Sequence, residues 1–120
     1  MKKSVSKGHR EVLEILTEAF PLVKIRQEFS VDVYDSFNRK HVLFFDFFIE
    51  VFSIAIEVQG RQHFQHVGFF HGEGGLAKQK LNDRLKREWC IENDVALITV
   101  DYDETISKDL MMRKIKDAIS

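Results

Sequence analysis

The sequence predicts an α/β fold, a mixed β-sheet of about four strands with helices on both faces. Three observations predict it. Hydrophobic periodicity runs in the order helix, three strands, helix, strand, helix. The second and third strands are apolar on both faces, as strands covered from either side are. The long helical segment before the fourth strand suits a right-handed crossover from the third.

The first helix spans Gly8 to Phe20, with Val12, Leu13, Leu16, Ala19 and Phe20 at helical spacing. Glu11, Glu14 and Glu18 share its other side, and Pro21 ends it. From Val23 to Tyr34 the chain is rich in β-branched and aromatic residues, and residues 35–40 have the polar character of a hairpin turn. The second strand, His41 to Ile49, sets Leu43, Phe45, Phe47 and Ile49 against Phe44, Asp46 and Phe48, so both faces are expected to be buried. Asp46 is the only charge inside that apolar run.

Glu50 to Ser53 turns the chain into a third strand, Ile54 to Val58, which stops at Gln59-Gly60. Gln62 to Gly75 reads as a loop dense in His, Phe and Gly. Leu76 to Asn93 is a helix with a core stripe at Leu81, Leu85 and Trp89, and it is the most basic stretch of the chain. Val95 to Val100 is a buried strand, after which Ser107 caps a last helix with Leu110, Met111, Ile115 and Ile119 inward.

At 120 residues, with 44% hydrophobic residues and 11 Phe, the chain is expected to be one domain over residues 1–120. The single Cys90 has no internal disulfide partner, and no long apolar stretch follows the N-terminal residues, so a reducing, cytoplasmic setting is expected. The apolar run from Val42 to Ile49 is far short of the roughly 20 residues a membrane helix needs, so no membrane partner is expected. A net charge of −1 gives no global argument for a polyanion, and a nucleic-acid case must rest on local patches.

Asp46 and Glu57 lie 11 positions apart on strands joined by a tight turn, where hairpin pairing brings the two carboxylates together. Such oxygen pairs suit hard divalent cations, and a buried carboxylate costs several kcal/mol unless a metal, a cation or a proton compensates it. The plainer reading is that each pairs with an Arg or Lys as a structural ion pair.

Asp46, then Ile56-Glu57-Val58-Gln59-Gly60 and Gln62-His63-Phe64, resembles the core of the PD-(D/E)XK nucleases, most closely their very-short-patch-repair-like branch. Gly8-His9-Arg10-Glu11 matches the early helix of that branch, and Asn82-Asp83-Arg84 with Arg87 its later one. The resemblance covers nearly the whole chain and is nearest to the variant set Glu, Asp, a variable residue, His, Asp of some phage-borne homing endonucleases. Here those positions are Glu11, Asp46, Gln59, His63 and Asp83.

The resemblance implies a restriction-endonuclease-like core and hydrolysis of DNA phosphodiester bonds in a bacterial or phage-infected cell. Asp46, Glu57 and the carbonyl of Val58 would hold Mg²⁺ or Mn²⁺. Gln59 stands where the superfamily has a Lys, and His63 is expected to serve as general base in its stead. Glu11 and Asp83 would complete the metal shell through water or orient His63. Lys78, Lys80, Arg84, Lys86 and Arg87 are candidates for DNA phosphate contacts, the plainer reading being a solvated helix face.

Two further readings stay open: a catalytically inactive nuclease-fold module for DNA binding or assembly, motivated by Gln59, and a nuclease directed at RNA. Cutting both strands with one site per chain would favour a homodimer. A zinc site from His63, His66, His71 and Cys90 matches no compact ligand spacing.

Overall fold

The computed structural model describes residues 7–59, 72–101 and 103–119. Helix α1 (Lys7–Ala19) leads into strands β1 (Arg26–Tyr34) and β2 (Lys40–Ile49), and a 3-10 turn (Glu50–Phe52) into β3 (Ile54–Val58). Helix α2 (Gly72–Glu92), strand β4 (Ala96–Val100) and helix α3 (Lys108–Ile119) follow. The fold is α/β: a four-stranded mixed sheet in the order β1-β2-β3-β4, flanked by the three helices. The β1–β2 and β2–β3 pairs are antiparallel and β3–β4 is parallel, as the alternation of periodicities predicts.

Each face of the sheet carries its own core. Val12 and Leu16 of α1 and Met111 and Ile115 of α3 pack on Phe47, Ile49, Ile54, Ile56, Ile98 and Val100. On the other face Trp89 and Cys90 of α2 meet Phe29, Phe45, Phe48, Ala55 and Leu97. Ser107 accepts the N–H of Leu110 at 3.1 Å, the N-cap the sequence predicts for α3.

Several expectations are corrected. Phe45 and Phe47 lie in different cores, so the second strand does not alternate in one phase from Leu43 to Ile49. The cause lies in the register with β1. Gln27 pairs with Phe47 and Phe29 with Phe45, but the rung between them, Glu28 with Asp46, is skipped, and Glu28 has φ 52°. That left-handed residue rotates the ribbon locally, which brings Phe29 to stack on Phe48 at 4.4 Å instead of pointing away from it.

Both faces of β2 are not buried throughout, because the α1–α3 core reaches β2 only at Phe47 and Ile49; Phe44 and Val42 beyond it are exposed. Ile119, at the C-terminal end of α3, is exposed rather than inward. The first strand begins at Arg26 rather than Val23, since Val23 donates its N–H to Phe20 in a turn after the helix. Helix α2 begins at Gly72 rather than Leu76, so the last residues of the expected loop, glycines included, are helical.

Candidate active site

The β2–β3 backbone ladder ends at the Phe47–Ile56 pair. Beyond it, carboxylates take over the donors of the next rung. The N–H of Asp46 donates to Oε2 of Glu57 at 3.1 Å, and the N–H of Val58 donates to Oδ2 of Asp46 at 2.7 Å. Each carboxylate thus accepts a main-chain donor of the other strand, which fixes both side chains and satisfies amides that would otherwise fray. The sequence-based expectation that hairpin pairing brings Asp46 and Glu57 together is met.

Two more charged or titratable groups converge here from opposite faces of the sheet. Lys86 of α2 donates to Oε1 of Glu57 at 2.8 Å, with side chains only 17% and 15% exposed. His9 of α1 is buried; its Nδ1 lies 3.8 Å from Oδ1 of Asp46, its Nε2 lies 3.3 Å from Oε1 of Gln27, and its ring rests on Phe47. Helix α1 comes close to β3 at Gly8, where a Cβ would stand 3.2 Å from Cγ1 of Val58 and press on that side chain. Burial pushes Glu57 above the usual carboxylate range and the charge of Asp46 adds to it, while Lys86 opposes both. Burial, aided by Glu57, also pushes the Cys90 thiol up to about 11, in keeping with its place in the core between α2 and the sheet.

The remaining expected residues fall as follows. Val58 is part of the clasp, and Gln59, just past β3, donates its N–H to Val100 at 2.9 Å. Helix α1 meets Asp46 through His9; Glu11, two positions on, projects about 200° away around the helix. Asp83 is half-buried on α2, one turn before Lys86 on the same face. Lys78, Lys80, Arg84 and Arg87 are exposed, and Arg84 sits 3.8 Å from Glu88. His63, His66 and His71, and with them the general-base assignment, lie outside the described residues.

Sequence reasoning missed His9 and the specific role of Lys86. A signal for His9 was present, since with Val12 and Leu16 it completes the inward stripe of α1. For Lys86 it was weaker: Asp83, Lys86 and Cys90 follow helical spacing beside the Leu85 core position, but nothing in the sequence separates Lys86 from its basic neighbours.

Among the described residues no group of three or more His, Cys, Asp or Glu side chains is arranged to hold a metal ion. Asp46 and Glu57 supply two adjacent hard-oxygen donors, and the cation already seated on Glu57 is the Lys86 ammonium. That donor chemistry fits an ion such as Mg²⁺, which takes one or two carboxylates and keeps water in its other positions.

The chain is similar to three viral proteins. It is 34% identical over 104 residues to the uncharacterized protein 033L of invertebrate iridescent virus 3, a match covering 84% of this chain and 52% of that protein. It is 41% identical over 59 residues to the uncharacterized protein 094L of Frog virus 3 (isolate Goorha), covering 48% of the chain and 38% of the relative. With the uncharacterized protein 307L of invertebrate iridescent virus 6 it shares 31% identity over 84 residues, 68% of the chain and 43% of the relative. The chain therefore spans about half the length, or less, of the curated relatives it matches. No family model matches it, and no solved structure does.

Proposed function

We propose that the chain is a divalent-metal-dependent endonuclease that hydrolyses DNA phosphodiester bonds at the Asp46–Glu57 site. The observation that carries this reading is the clasp itself: two carboxylates held side by side at the end of β3, each accepting a main-chain N–H of the other's strand. Setting two carboxylates at the end of apolar strands carries a desolvation cost that Lys86 and the two main-chain donors offset, and a catalytic use accounts for keeping them. The resemblance to PD-(D/E)XK nucleases supports the same assignment.

In this reading Asp46 and Glu57, with the carbonyl of Val58, would hold Mg²⁺ or Mn²⁺ against the scissile phosphate. When bound, the ion supplies Lewis-acid polarisation of the phosphate and a lowered pKa for the attacking water. Val58 keeps Asp46 oriented through Oδ2, leaving Oδ1 on the side of His9. His63 is the proposed general base, and Asp83 lies on the α2 face that carries Lys86. Lys78, Lys80, Arg84 and Arg87 are exposed along α2, where their charge would neutralise DNA phosphates.

No helix among the described residues is long and apolar enough to cross a membrane. The relatives are viral and none of the three is from a phage, so the setting proposed is a virus-infected cell. Two-strand cutting would require a homodimer or two encounters.

Plasmid nicking with Mg²⁺ or Mn²⁺ tests the reading, comparing wild type with Asp46→Asn, whose amide oxygen still accepts the Val58 N–H. Nicking by wild type and loss in the variant is expected. Equal activity in both, or none in either, overturns it, and competition with RNA identifies the substrate.

A second reading, a catalytically silent DNA-binding or assembly module, is favoured by one observation: Lys86 already neutralises Glu57 without any metal. Metal-independent DNA binding with no nicking would select it.

A further inference from the structure

Both oxygens of Glu57 are engaged, each by one donor and each with one lone pair left. Its Oε2 accepts the Asp46 N–H and its Oε1 accepts Lys86, with both side chains largely withdrawn from water. A divalent cation that takes Glu57 as a ligand arrives beside both of these donors, and they differ in how readily they can yield. The Asp46 amide is main chain, anchored in β2 next to the Phe47–Ile56 pair, and its departure would fray the sheet. Lys86 is a point charge on a flexible four-carbon stem, free to swing without moving α2.

The electrostatics select the same donor. An ammonium and a divalent cation sharing one carboxylate in a poorly hydrated site repel each other, whereas a backbone N–H carries no net charge. The Phe45 ring, 5.6 Å from the Lys86 Nζ, lies beside the ammonium in its present seat.

We propose that Lys86 is a built-in counter-ion of the site, neutralising Glu57 in the metal-free protein and displaced from it when a divalent cation binds. This deepens, and rests on, the metal-dependent reading above. In this arrangement Lys86 is a positioning residue: it holds the Glu57 carboxylate in place at the end of β3, ready for exchange of one cation for another. It also sets the metal affinity, because every ion that binds must outcompete an internal ammonium.

The experiment uses wild-type protein. Mn²⁺ binding is first measured by electron paramagnetic resonance, and lysines are then acylated with and without saturating Mn²⁺ and quantified by mass spectrometry. Lys86 is expected to react slowly in the metal-free protein and several-fold faster with Mn²⁺, while exposed Lys78 and Lys80 react equally in both. In a second arm, Lys86→Met is expected to bind Mn²⁺ several-fold more tightly than wild type. Protein that binds Mn²⁺ with unchanged or slower Lys86 acylation overturns the counter-ion role and leaves the metal reading standing. Absence of Mn²⁺ binding in wild type overturns the metal reading, and the counter-ion role with it.

Discussion

Asp46 and Glu57 hold each other's strands: the Asp46 N–H ends on the Glu57 carboxylate, and the Asp46 carboxylate receives the N–H of Val58, the residue after Glu57. The two acidic groups are therefore structural parts of the sheet end as well as candidate ligands, and substitutions there have two effects that can be separated.

Asp46→Ala removes the acceptor of the Val58 N–H and is expected to cost about 1–3 kcal/mol, the cost of leaving a partly buried donor unpaired. Asp46→Asn keeps an oxygen in place and is expected to lose far less. Urea denaturation of the two variants measures the difference, and nicking assays are expected to find both inactive.

Lys86→Met leaves Glu57 buried without its cation. The expected loss at pH 8 is about 2–3 kcal/mol, at or below the range for breaking a buried pair because both side chains keep some exposure. The pH dependence has a definite sign. A carboxyl whose folded value is raised above its ordinary 4.5 favours the folded state when protonated. Stability from that group is full below 4.5 and falls as pH rises through the higher folded value. The variant's deficit is therefore expected to shrink on acidification, and denaturation curves from pH 5 to 8 check it. Adding Glu57→Gln is expected to recover much of the loss.

Asp35 closes the β1–β2 turn, accepting the Phe37 and Arg39 amides, the Arg39 side chain and, at 2.8 Å, the His41 ring. The His41 bond, followed by the amide of Arg39, holds its carboxyl well below the ordinary 3.8. A lowered value contributes stability above 3.8 that is lost as pH falls through the folded value. Asp35→Asn is expected to lower the thermal midpoint at neutral pH and to converge on wild type in strong acid, a comparison that calorimetry makes directly.

Cys90 is expected to resist alkylation. With its thiol pushed up to about 11 from 9.0, the thiolate fraction at pH 8 falls roughly a hundredfold, before its burial slows access further. Iodoacetamide labelling of native against urea-unfolded protein reads this; equal rates would contradict the buried environment.

The order of elements was legible because the periodicities are strong: Val12 and Leu16 at helical spacing, and Ile54 to Val58 as a short apolar run. Asp46 and Glu57 were legible for a related reason, as charges set in otherwise apolar strands whose pairing follows from a short turn. The phase change along β2 was not legible, since it depends on one left-handed residue, Glu28, on the neighbouring strand, and Glu is no marker of that conformation. Glu11 was singled out because Gly8-His9-Arg10-Glu11 resembles the early helix of the very-short-patch-repair-like branch. The geometry turned instead on which residue shares a helix face with Val12 and Leu16. Lys86 was one basic residue among five until α2 was docked against β3, because only tertiary packing tells a buried lysine from a solvated one.

The last rung between β2 and β3 is closed by carboxylate oxygens where a sheet ordinarily uses carbonyls. Carbonyls hold their hydrogen bonds whatever the solution contains, but carboxylates also respond to protons and cations. In the metal-dependent reading proposed above, local order at this strand end would respond to the ions present. In that reading, amide exchange at Val58, whose N–H ends on the Asp46 carboxylate, would report through the backbone on an event among side chains.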